Sequence, residues 1–65
     1  MDDEPLFRFF KYEHLPAFLQ GASKPFHALA EHIILNVPRC PERTVGLRKL
    51  LEAKDCVVRA CIPGD

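Results

Sequence analysis

One run of the sequence leaves the backbone little choice. Phe26, Leu29, Ala30, Ile33, Ile34 and Val37 recur at i, i+3, i+4, i+7, i+8 and i+11, the period that gathers apolar side chains on one face of an α-helix. Ser23 stands before the run as a candidate N-cap, and Pro25 is tolerated in a first turn. Val37-Pro38 ends it, so the pattern predicts a helix over residues 23–37. Upstream, "LPAFLQG" predicts a separate short helix over 16–21, begun at Pro16 and stopped at Gly21. Residues 1–14 carry no helical period, and Pro5 and Pro16 each disfavour the α region for the residue before them. They predict an extended arm. Its aromatics either cover an open helix pair or give Tyr12 a binding face with Arg8 and Lys11 nearby.

After the connector "PRCP", Pro41 suits the first position of a helix and Glu42 its positive end. The apolar pattern then continues to Ile62, where Pro63-Gly64 stops it, predicting a long helix over 41–62. So short a connector makes the two long helices antiparallel neighbours. The expected fold is therefore all-α: an arm, a short helix and a two-helix hairpin, in a single domain spanning 1–65. On the last helix Leu47, Leu50, Leu51, Ala53, Val57, Val58, Ala60, Cys61 and Ile62 cover roughly half of the circumference. One facing helix needs a narrower stripe, so the excess arc is expected to meet other copies of the chain in a homo-oligomer. Arg43 and Lys54 point along the same apolar side, within about 20° of each other. A cation there either pairs with a carboxylate, Glu42 or Asp55 of another subunit included, or serves a ligand. For Lys54 the expectation is a structural ion pair. For Arg43, at a helix start, phosphate is the alternative.

A domain of 65 residues is marginal without disulfides, metal or partners, yet 48% hydrophobic residues are too many for a disordered chain. Nine Lys and Arg balance nine Asp and Glu, a poor charge for gripping a long nucleic-acid backbone, though not for holding a small anion. The acids crowd into "MDDE", which leaves the stretch from Arg39 to Lys49 locally basic. Neither a signal peptide nor an apolar run long enough to span a membrane is present, and Cys40, Cys56 and Cys61 form no CxxC pair. This pattern predicts a reducing cytoplasm and thiols that are packed or inert, with no metal.

Enzyme signatures are lacking: no Ser-His-Asp spacing, no glycine-rich loop, no acidic pair on an apolar helix face. His27 and Glu31 can pair on a helix surface, while His32 lies about 140° from His27, so the two histidines make no metal face. The stronger set is of another kind. Tyr12 is an aromatic with a polar tip, suited to stacking on a nucleobase. Lys24 near one expected helix start, and Arg43 with Thr44 near another, are candidate phosphate ligands, because helix N-termini present unpaired N–H groups. Solvation of Lys24 and local backbone bonding by Thr44 are the alternatives.

From about Phe10 to Ile62 the chain resembles the small helical-hairpin domain of phage anti-CBASS cyclic-oligonucleotide sponges, shared with one type of anti-Thoeris sponge. The likeness rests on "FKYEHLP", on Ser23-Lys24, and on "PERTVGLRKLLEAKDCVVRACI", which is similar to the family's Glu-basic-hydroxyl run and leucine-rich helix. The resemblance implies a non-enzymatic protein without cofactor, assembled as a compact oligomer, a hexamer in the anti-CBASS branch. Such proteins sequester cyclic dinucleotide or trinucleotide immune signals in the cytoplasm of the infected bacterium, so that the effector is not activated. By motif, Tyr12 would stack on a base and Lys24 would contact phosphate, with Arg43 and Thr44 near a second site for larger rings. The anti-Thoeris branch carries a preceding β-rich portion, so the anti-CBASS branch is the nearer. The chain departs from the pattern in a longer "LPAFLQGA" segment and in Gly46 where Ala is usual, both of which bear on pocket shape. The competing reading is a helical protein-interaction module, whose apolar arc binds a different chain and no nucleotide.

Overall fold

A computed structural model describes residues 2–63. Met1 of the expected arm and Gly64 of the expected stop lie outside the described residues. The chain forms a 3₁₀ helix, Pro5–Phe10, followed by two α-helices, α1 (Ala17–Asn36) and α2 (Pro41–Ala60), packed as a hairpin, and the described residues contain no strand.

The arm is thus not extended throughout. Glu4 is the N-cap of the 3₁₀ helix, its carboxylate accepting from the Leu6 N–H at 3.3 Å, and Pro5 takes the first helical position, where it gives up no needed donor. The short helix and its successor are one. Leu19, Ser23, Ala30 and Ile34 form the buried row of α1, and all four lie within about 60° of one another at 100° per residue. Breaking the helix at Gly21 would rotate Leu19 out of that row. Gly21 and Pro25 act against the continuous helix by about 1 and 3 kcal/mol, and the shared buried row outweighs them. Ser23 is consequently no cap: it is wholly buried in mid-helix, its Oγ without a partner among the described residues. Lys24 is likewise well inside α1 rather than at a helix start.

Phe10 is fully buried between the helices with Ala30, Ile34 and Leu47, and Leu6, Phe7, Phe26, Ile33, Leu50 and Leu51 close around them. Burying each Phe or Leu side chain stabilises by about 1.5–3 kcal/mol. Both long helices therefore share one core with the N-terminal segment. Of the apolar arc of α2, Leu47, Leu50 and Leu51 are used within the chain, whereas Ala53, Val57, Ala60, Cys61 and Ile62 are exposed. Large uncovered apolar side chains lie on α1 at Phe18, Leu29 and Leu35, on or just past α2 at Val45, Val57 and Ile62, and at Phe9 and Val37. The thiols of Cys40, Cys56 and Cys61 are all exposed and take no part in packing. No helix among the described residues is long and apolar enough to cross a membrane.

Candidate functional site: an aromatic and basic flank beside His27

The chain leaves the 3₁₀ helix through Lys11 and Tyr12 and turns at 13–16, where the Leu15 N–H donates to the Tyr12 carbonyl at 3.0 Å. Gln20 of α1 fastens this turn, its side-chain amide donating to the Leu15 carbonyl at 2.9 Å and to the Glu13 carbonyl at 3.4 Å. Tyr12 is held half-buried with its ring edge-on to His27, centroids 5.4 Å apart at 75°. His27 also packs against Phe7 at 4.8 Å. Both geometries fall within the favourable range for aromatic pairs.

Lys24 sits one turn before His27 on the same helix, so the two are surface neighbours. Lys24 is exposed, and no carboxylate pairs with it among the described residues. Lys11 is exposed beside Tyr12. Tyr12, His27 and Lys24 therefore border one flank of α1, with a half-buried aromatic ring and an exposed ammonium group. Glu13 stands at its edge. Its own backbone N–H and that of Tyr12, with the charges of His27 and Lys11 adding to them, hold its carboxyl below the ordinary glutamate range against the opposing cost of burial. Arg8 does not join the flank; its guanidinium lies 4.8 Å over the ring of Phe9.

Arg43 is elsewhere, and both of its terminal nitrogens are engaged. It is only 3% exposed and makes a two-pronged contact with Asp2, Nη1 to Oδ2 at 2.7 Å and Nη2 to Oδ1 at 2.9 Å. Nη2 also donates to Glu4 at 3.2 Å and Nη1 to the Val37 carbonyl at 3.0 Å, which leaves only Nε without a partner. The expectation of Arg43 as a phosphate ligand is corrected: carboxylates of its own chain occupy the terminal nitrogens a phosphate needs. Thr44 is turned inward to its own helix, its hydroxyl donating to the Cys40 carbonyl at 3.4 Å. The expected ion pair of Lys54 is corrected as well. Its ammonium donates to the Phe9 carbonyl at 2.6 Å, satisfying one of the free carbonyls at the end of the 3₁₀ helix.

Hydrogen bonding to Arg43 is the first cause that holds the Asp2 carboxyl below its ordinary value, and the same bond raises the guanidinium in turn. The sequence held a signal for this cluster, since "MDDE" is the acidic end of a chain whose middle is basic. His27 is the flank residue that sequence reasoning assigned only to a surface pair with Glu31. Its role as the platform beneath Tyr12 depends on where the arm folds back.

The described residues enclose no pocket, and no group of three His, Cys, Asp or Glu among them could hold a metal ion. Comparison with family models, curated proteins and solved structures gives no match.

Proposed function

We propose that this chain is a non-enzymatic sponge that binds cyclic dinucleotides and withholds them from an immune effector in the cytoplasm of an infected bacterium. The observation that carries this reading is the packing of Tyr12 edge-on to His27, one helical turn from the exposed Lys24. A half-buried aromatic suits a base, and an ammonium one helical turn away suits its phosphate. The resemblance to anti-CBASS sponges assigns roles to the same two residues. Since the flank is open, with no pocket in one chain, the reading requires that a second subunit complete the enclosure, as in the oligomers of those sponges. The second site proposed from Arg43 and Thr44 is withdrawn, because the guanidinium is taken by Asp2 and Glu4.

Calorimetry against a panel of cyclic dinucleotides and trinucleotides tests the proposal. The expected result is tight binding with the ligand recovered intact after denaturation. Tyr12→Ala and Lys24→Ala should each weaken it at least tenfold, which is about 1.4 kcal/mol. No binding anywhere in the panel refutes the sponge; recovery of a linear product makes the protein a nuclease instead. The exposed Phe18, Leu29 and Leu35 of α1 favour the second reading, a helical interaction module. That reading expects a monomer in light scattering that assembles only with another protein.

A further inference from the structure

Pro25 stands in the interior of α1 and has no N–H to donate. The bond an ordinary residue would make there, to the carbonyl four positions back, is therefore missing. That carbonyl belongs to Gly21, and it is also the one that the proline ring crowds. A glycine lets it swing outward at little steric cost, and a Cβ added at Gly21 would meet nothing within 4 Å. Gly46 of α2 has equally open surroundings, but the residue four positions after it is Leu50, which keeps its N–H. The main-chain bonding of α1 thus has a gap at 21–25 that α2 lacks.

The packing changes at the same place. On α1 the shared core begins at Phe26 and continues through Ala30, Ile33 and Ile34. Ahead of Phe26 the helix buries only Leu19 and Ser23, and Leu19 is not part of that core. The Ser23 hydroxyl is wholly buried with no partner among the described residues, so opening the helix here returns it to water at a gain.

What precedes the gap is tied to itself. The N–H groups of Leu19 and Gln20 donate to the Pro16 carbonyl at 2.9 and 3.3 Å, the Gln20 amide holds the Leu15 and Glu13 carbonyls, and Leu15 holds Tyr12. Just before Tyr12, Phe10 is fixed in the core and the Phe9 carbonyl is fixed by Lys54. We propose that residues 12–20 form one body that swings on two pivots, Lys11 and the gap at 21–25, while the 3₁₀ helix, α2 and the rest of α1 hold still. The latch of this body is the edge-on contact of Tyr12 with His27, which lies beyond the gap, at 5.4 Å between centroids.

The hinge deepens the sponge reading and takes its purpose from it. Tyr12 rides on the moving body and His27 stays with the core, so a base stacked on Tyr12 favours one position of the latch and shifts the population toward it.

Nitrogen-15 relaxation dispersion on the full chain, without nucleotide, tests the hinge. Amides within residues 12–24 should share one exchange rate on the microsecond-to-millisecond scale, and those of 29–36 should show none. Pro25→Ala restores the missing bond and should abolish this exchange. His27→Ala removes the latch and should raise the open population about threefold to tenfold. In native-state hydrogen exchange the amides of 21–24 should exchange about tenfold faster than those of 29–33, a difference that Pro25→Ala erases. Rates that differ from residue to residue, as in a fraying helix end, overturn the hinge, as does exchange that Pro25→Ala leaves intact. A hinge in a chain that binds no cyclic dinucleotide refutes the sponge alone. Tight binding by a chain without exchange at 12–24 refutes the hinge alone.

Discussion

Arg43 and Asp2 stand forty-one residues apart in sequence and share two hydrogen bonds, at 2.7 and 2.9 Å. The start of the chain is thereby fastened to the connector end of the helical hairpin. Glu4 reinforces the fastening from beneath, and Arg39 adds a bond to the Asp3 carbonyl at 3.2 Å. What looked in the sequence like a cation available to a ligand is the clasp that seats the 3₁₀ helix, and with it Phe10, in the core.

The clasp predicts an acid-sensitive fold. The Asp2 carboxyl is lowered from its ordinary 3.8, so the native state binds a proton less readily than the unfolded chain. Stability from this group is fully present above pH 3.8 and is lost as pH falls through the lower native value. Melting temperature followed over the acid range should drop more steeply for the wild type than for Asp2→Asn, which has already lost the interaction at neutral pH. Parallel curves would show that the clasp contributes nothing. Arg43→Met should lower the melting temperature further than Asp2→Asn, because it also strands the buried Glu4 carboxylate.

Lys54 is 8% exposed and reaches the Phe9 carbonyl with its ammonium. Lys54→Met keeps most of the apolar stem and removes one charged hydrogen bond, a loss of about 1.5–3 kcal/mol offset in part by relief of a buried charge. Lys54→Ala removes the stem as well and should be the more destabilising of the two in urea denaturation. Equal losses would mean that the stem packs against nothing that matters.

Gly46 lies within α2, exposed, and a Cβ added there meets nothing within 4 Å. Gly46→Ala should stabilise the chain by about 0.4–1 kcal/mol, chiefly by restricting the unfolded state. For a domain of this size that corresponds to a rise of a few degrees in melting temperature. A fall would reveal a neighbour across a subunit boundary on α2.

All three thiols are exposed, Cys40 on the connector, Cys56 on α2 and Cys61 at its C-cap. A chromogenic thiol reagent should therefore modify three cysteines per native chain without denaturant. Protection of Cys56 in the native protein, lost on denaturation, would show that another chain covers α2.

The helical character of α1 and α2 was legible in the sequence because it rests on local periodicity: the Phe26–Val37 run and the leucines after Pro41 have one helical reading. The prolines at 38 and 41 likewise limited the connector to a short crossing between antiparallel helices. Three decisions were not local. Pro25 and Gly21 argue for a break, and only the buried row of Leu19, Ser23, Ala30 and Ile34 explains why α1 runs through them. Residues 5–10 have no helical period because their fold is decided by the groove that receives Phe10. The partners of Arg43 depended on where the acidic start of the chain comes to lie, since a guanidinium near a helix start serves a phosphate or a carboxylate equally well. Sequence thus determined which segments are helices and which residues could bind an anion. Tertiary structure alone decided which cations were consumed, because burying a charge requires a partner, and the nearest partner in space was the most distant in the chain.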